Sequence, residues 1–234
     1  MRTSLLLFLA AIAAAAPVTK RAVIDHDAVV GFAESASDLA LKYKPWLKVV
    51  NGCVPFPAVD AAGNTGGGLA PTGGSSDGCS SSPGQVYTRS AQYGDKYAIM
   101  YSWYMPKDSP SPGLGHRHDW EDIIVWLSSP DPATSQLAGL STSAHGKYDT
   151  ITSNVPLDGT TTRPKIAYFS IWPLNHQLGR RTIGDRGGEQ PLIAWESLTQ
   201  AARDALENTD FGDGNVPFKD ANFMANLDEA AQGF

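Results

Sequence analysis

The chain has 234 residues and carries 18 Lys and Arg against 24 Asp and Glu, a formal charge of −6 at pH 7. An acidic balance argues against nucleic acid or a bare anionic bilayer as partner, since both attract basic surfaces. Hydrophobic residues make up 42% of the chain, ample for the core of one large domain.

Taken in chain order, the N-terminus comes first. Arg2 supplies a positive start, and residues 5–16 form an apolar run ending in alanines. That is the layout of a signal peptide, 1–16, cut near Ala16. The run is shorter than the roughly 20 residues a bilayer span needs. A dibasic pair, Lys20-Arg21, follows. It reads either as a maturation site or as solvated surface. As a maturation site it makes 17–21 a short pro-segment and 22–234 a single mature domain. Removing residues 1–21 takes away Arg2, Lys20 and Arg21 and no acid, so the mature chain is the more acidic form. No later run is long and apolar enough to span a membrane, so the expected compartment is extracellular. Cys53 and Cys79 are the only cysteines, and in an exported chain they read as one disulfide. The bridge closes a loop of about 26 residues, worth roughly 3.5 kcal/mol in the chain-entropy picture. It staples a Gly-, Ser- and Pro-rich segment, 59–84, with few apolar groups to order it. No Asn-x-Ser/Thr sequon occurs.

A helix is expected over 27–43, where Val29, Phe32, Ala36, Leu39 and Tyr43 recur at helical spacing before Pro45. Residues 97–104, 120–127, 165–171 and 191–195 are rich in aromatic and β-branched residues between turn-forming clusters, and read as strands. Helical spacing returns over 195–206. A last helix is expected over 220–231, with Asp220 as N-cap and Phe223, Leu227 and Ala231 inward. Strands in the middle with helices towards the ends suggest an antiparallel α+β or sandwich architecture rather than alternating βαβ units. No internal repeat is present.

The chemistry gathers in 108–121. Two histidines and two carboxylates, His116, His118, Asp119 and Glu121, fall within six residues, and Asp108 precedes them across a Pro/Gly turn. On a strand, Asp119 and Glu121 point to one face. A hairpin would bring Asp108 beside them. Crowded carboxylates repel, and a hard divalent cation relieves that repulsion. His116 would ligate or hold a bound water. Two alternatives stand: a salt-bridge cluster built on Arg117, and a cupin-type metal site suggested by His116-Arg117-His118. The spacing to Glu121 is short for a cupin, and no second histidine motif follows. No Gly-x-Ser-x-Gly nucleophile motif occurs, and both cysteines are expected to be bridged. No enzymatic activity is expected.

Gly115-His116-Arg117-His118-Asp119-Trp120-Glu121 resembles the signature heptapeptide of the necrosis- and ethylene-inducing-like proteins. These are secreted toxins of fungi, oomycetes and bacteria that kill cells of dicot plants. The likeness extends through 98–108, with Met105 where Phe is commoner, and through 143–146, 173–176, 190–193, 210–212 and 216–218. It covers essentially the whole mature chain. The single cysteine pair resembles the type 1 subgroup, and the dibasic precursor resembles fungal ones. The loop 178–190, with Arg180, Arg181 and Arg186, is more basic than the family usually has.

The resemblance implies a mainly β fold, an antiparallel β-sandwich flanked by α-helices, similar to actinoporins and fungal lectins. It implies a divalent cation, Mg²⁺ first with Ca²⁺ or Mn²⁺ as alternatives, at the bottom of an acidic cavity. Asp108 and Asp119 would ligate it, with His116 and Glu121 lining the same site partly through water. His118, His145, Asn175 and His176 are placed at the head-group cavity, and Trp172 at the membrane interface. The implied target is the sugar head of glycosylinositol phosphorylceramide sphingolipids in the plant plasma membrane, reached from the host apoplast by a monomer. A plant leucine-rich-repeat receptor is implied to sense 98–121. Some family members keep the motif without killing, so a non-toxic, lectin-like protein is the alternative.

Overall fold

A computed structural model describes residues 21–180 and 186–234. The signal peptide, most of the pro-segment and Arg181 lie outside the described residues.

The strands, in chain order, are β1 (Val23–Ile24), β2 (Trp46–Val49), β3 (Thr65–Gly66), β4 (Val86–Tyr93), β5 (Lys96–Asp108) and β6 (His116–Leu127). They continue with β7 (Leu137–Ala144), β8 (Lys147–Ile151), β9 (Lys165–Phe169), β10 (Gln177–Gly179) and β11 (Leu192–Ala194). Helices α1 (Asp38–Lys42), α2 (Gln200–Asn208) and α3 (Phe223–Ala231) lie before and after the main strands. The large sheet runs β11-β4-β5-β6-β7-β8, antiparallel except for the edge pair β11 and β4. A smaller sheet runs β10-β9-β2, and β1 pairs in parallel with β3.

Why β5 and β6 dominate is legible in their side chains. They are the long central strands, and almost every residue from Ala98 to Ser109 and from His118 to Leu127 is buried. Strands covered on both faces lose the polar alternation of a half-exposed strand. On one face of β6, Asp119 reaches Tyr168 of β9 in the small sheet. On the other, Trp120 packs on Phe218 and Trp126 on Phe234 of the C-terminal layer. The result is the expected β-sandwich flanked by helices. Among the described residues the sheets do not close into a barrel, so the cupin alternative loses its architecture. Cys53 and Cys79 form the expected disulfide.

The expected helix over 27–43 is mostly absent: only Asp38–Lys42 is helical. The backbone upstream is engaged elsewhere. Phe32 N–H donates to Gln85 Oε1 at 2.6 Å, and Ser35 N–H donates to Leu192 O at 2.8 Å. Val29, Val30 and Gly31 are weak helix formers, so their apolar spacing had no local support. The helix starts where Ser37 caps it, accepting from Ala40 N–H at 3.2 Å. The expected helix over 195–206 is also split. Leu198 and Thr199 are extended, and Thr199 caps α2 by accepting from Ala202 N–H at 3.1 Å. In the last helix Asn222 takes the N-cap position. Asp220 instead accepts from Arg89 at 2.6 Å. Phe223 and Leu227 are buried as expected, whereas Ala230 rather than Ala231 completes the buried face.

Candidate functional site

The β5–β6 hairpin builds the site. Asp108 ends β5 and His116 begins β6, and the two are register partners. Gly115 between them has φ +95°, and any Cβ there would run into the Asp108 carbonyl oxygen. Only glycine lets the chain return so closely. Two residues on, His118 sits in the left-handed region at φ 62°. That kink interrupts the strand's two-residue alternation, so His116 and Asp119, three apart, both face the same cavity. β7 pairs with β6 only from Ile123 onward, leaving 116–122 beyond the edge of β7. The cavity occupies that gap. It has a volume of about 550 Å³, and its wall includes Asp108, His116, Asp119, Glu121, Asp122 and His176.

Ligand atoms of Asp108, His116 and Asp119 lie within 4.8 Å of one another. His116 Nδ1 lies 2.7 Å from the His118 carbonyl oxygen, which only an N–H can satisfy. In the neutral ring Nε2 then carries the lone pair, 3.8 Å from Asp108 Oδ2. Asp108 is held by its neighbour: His176 gives its backbone N–H to Oδ2 at 2.9 Å and its ring Nδ1 sits 2.6 Å from Oδ1. Tyr168 O–H donates to Asp119 Oδ2 at 2.7 Å. These outer partners fix the orientation of the inner groups, as in built metal sites. Two carboxylates and one imidazole lone pair, each oriented from behind, fit a hard or borderline divalent cation.

Burial and mutual repulsion load this site. Burial first, and then the Asp108 charge, push the Asp119 carboxyl up to about 6. Burial and then Asp119 push Glu121 well above the usual carboxylate range. Burial pushes Asp122 up to about 7, although it accepts from Tyr148 O–H at 2.8 Å. Charges that repel this strongly favour a cation among them.

Each expected site residue has a definite place. Glu121 lines the cavity but is outside the three-residue cluster, and it accepts from the Ser143 hydroxyl. Asn175, His176 and the exposed His145 line the same cavity. His118 is a correction. It does not line the cavity but turns away into the core, 2.6 Å from the Tyr104 hydroxyl and edge-on to Phe211. Burial, and then Arg117, hold its ring down to about 4. Its left-handed backbone is the physical reason for the turn away. Arg117 does not bridge the acids: it donates to the Gly67 and Gly68 carbonyls at 2.8 and 3.0 Å. The salt-bridge alternative therefore falls. Trp172 stands 71% exposed, flanked by exposed Ile171 and Leu174, on the loop that leads into Asn175 and His176. Tyr168, Ser143 and Asp122 were not singled out from sequence. A tyrosine hydroxyl within the run 166–169 is the one available signal.

Residues 37–230 match the model of the necrosis inducing protein (NPP1) family. NLP effector protein 10 of Phytophthora capsici is 53% identical over 230 residues, covering 94% of this chain and 96% of that one. A solved structure of NLPPya in complex with mannosamine is 52% identical, with a TM-score of 0.81, and covers 89% of this chain and 99% of that one. The non-toxic HaNLP3 protein is 41% identical, with a TM-score of 0.82 over 88% of this chain and 98% of that one. NLP effector protein 10 and the necrosis-inducing protein NPP1 of Phytophthora nicotianae, 49% identical over 238 residues, are oomycete rather than fungal proteins, so the fungal character read into the precursor finds no support in them. The family match spans most of the chain and the fold agrees with these likenesses, so the chain belongs to the NPP1 family of necrosis-inducing proteins.

Proposed function

We propose that the chain is a secreted toxin that binds the sugar head group of glycosylinositol phosphorylceramide in the plant plasma membrane, in a cation-dependent manner, and then damages the bilayer. The observation that carries this is a juxtaposition. The Asp108–His116–Asp119 cluster lines an acidic cavity, and the apolar tip Ile171–Trp172–Leu174 stands on the loop that supplies Asn175 and His176 to that cavity. A sugar offers hydroxyl donors to a wall of carboxylate and amide oxygens. The complex of NLPPya with mannosamine supports a sugar-type ligand for this cavity. Bound there, a divalent cation, Mg²⁺ by preference, would supply fixed positive charge for sugar oxygens. Asp108 and Asp119 would hold it, with His116 completing the set and Glu121 beside it. Binding followed by membrane damage needs no bond-breaking step, and we read the chain as a non-catalytic monomer acting in the host apoplast.

The second reading is a sugar-binding member that does not kill. It is favoured by the non-toxic HaNLP3, which has a closely similar fold. Two assays separate the readings. Flotation with vesicles carrying the plant sphingolipid measures binding, and dye release from the same vesicles measures damage. The toxin reading expects both, with neither on plain phospholipid vesicles. Binding without release supports the lectin-like reading, and no binding overturns both.

A further inference from the structure

We infer that Asn51 is the positioning residue of the loop that carries Trp172: its side-chain amide fixes Ser170, the residue before the apolar tip, and so sets where that tip points. The consequence for the bilayer rests on the proposed function. β2 and β9 run in parallel, with Val49 opposite Tyr168. Val50 N–H donates to Tyr168 O at 2.9 Å. One step on, the chain leaves the ladder, and the side chain of Asn51 takes over. Its Oδ1 accepts from Ser170 N–H at 2.9 Å. Its Nδ2 donates to Ser170 Oγ at 3.3 Å and to Ser170 O at 3.4 Å. A primary amide carries donors and an acceptor on one planar group, as a peptide does, so it can stand in for the missing rung.

The far end of the loop is held independently. Gly52, at φ +87°, passes so close to His176 that a Cβ there would lie 2.5 Å from the ring Nε2. Tyr168 stacks on the same ring with centroids 4.7 Å apart, and the His176 backbone N–H donates to Asp108 Oδ2. Within the tip, Leu174 N–H donates to Ile171 O at 2.9 Å and closes a turn. The consecutive residues Val50, Asn51 and Gly52 thus fasten Tyr168, Ser170 and His176, and the neighbouring Cys53 ties them to Cys79. A tip fastened at both ends has less conformational freedom to lose when it enters a bilayer. Asn51 itself is exposed and outside the cavity wall. It acts on Trp172 through Ser170, while Gly52 and Tyr168 keep His176 against Asp108 without it.

The test compares wild type with Asn51→Ala and Asn51→Asp in the secreted protein. It reads hydrogen exchange at the Ser170 amide, Mg²⁺ affinity by calorimetry, and dye release from vesicles containing glycosylinositol phosphorylceramide. In Asn51→Ala the Ser170 amide should exchange several-fold faster, since local opening no longer breaks a bond to Oδ1. Dye release should fall several-fold, with Mg²⁺ affinity and melting temperature unchanged. Asn51→Asp keeps an acceptor for Ser170 N–H and should restore both slow exchange and release. Equal exchange in wild type and Asn51→Ala overturns the positioning role, and so does full release by Asn51→Ala once exchange has quickened. A fall in Mg²⁺ affinity matching the fall in release also overturns it, because Asn51 would then support the cavity. Should wild type release no dye, the proposed function fails, and exchange at Ser170 still decides whether Asn51 holds the loop.

Discussion

At the scale of single residues, the heptapeptide divides its labour in a way its spelling conceals. Gly115 permits the close return, His116 and Asp119 face the cavity, Arg117 ties down the Gly67–Gly68 backbone, and His118 and Trp120 enter the core. The sequence shows that chemistry gathers here, because carboxylates and histidines at this density are conspicuous. It does not show that His118 turns inward, because that depends on a positive φ at a non-glycine residue. A linkage prediction belongs at this scale. Asp119 titrates near 6 in the folded, cation-free protein, against about 3.9 for an unfolded Asp. A carboxyl with a raised folded pKa makes the folded state bind more protons than the unfolded one. Stability is therefore lost as pH rises from about 4 through 6. Chelator-treated protein should melt lower at pH 7.5 than at pH 5. Adding Mg²⁺ should raise the melting temperature more at pH 7.5, where the carboxylates are free to bind it. An equal rise at both values would contradict the assignment.

At the scale of elements, the strands of the hairpin were legible because burial on both faces leaves long apolar runs, whereas the region 27–43 deceived. Its apolar spacing is real, but Phe32 and Ser35 use their backbone N–H groups on Gln85 and Leu192. Tertiary bonds of this kind leave no periodic trace. Two predictions follow from elements. The segment 98–121, proposed to be sensed by a plant receptor, is the central hairpin and is largely buried. Intact protein should therefore present it only after unfolding or digestion. Proteolysed Asp119→Asn protein should still elicit ethylene in a receptor-bearing plant, and silence of the digest would contradict the proposal. The loop of Trp172 gives the other. Burying one large apolar side chain contributes roughly 1.5 to 3 kcal/mol, too little for strong membrane affinity alone. It matters once head-group binding has raised its local concentration. Trp172→Ala should leave binding of the soluble sugar head nearly intact and reduce dye release at least about tenfold, a factor corresponding to ~1.4 kcal/mol. Loss of sugar binding together with release would place Trp172 in the cavity instead.

At the scale of the whole molecule, the central hairpin, the β7–β8 turn, the 175–176 loop and the start of α3 line one cavity whose groups come from distant parts of the chain. Asp108 and Asp119 come from the hairpin, Tyr168 from the small sheet, and His176 from the loop that carries Trp172. The sequence showed the hairpin's contribution. The rest became visible only when β9 was laid across β6, since no spacing rule links residue 119 to 168. On the proposed function, the carboxylate cluster, through its cation, governs attack on the bilayer. The most direct measurement is dye release from vesicles containing glycosylinositol phosphorylceramide, in chelator and after Mg²⁺ is restored, for wild type and for Asp119→Asn with its melting temperature checked. Wild-type release should disappear in chelator and return with Mg²⁺, while the folded variant should release nothing in either condition. Undiminished release in chelator, or by the variant, would contradict it.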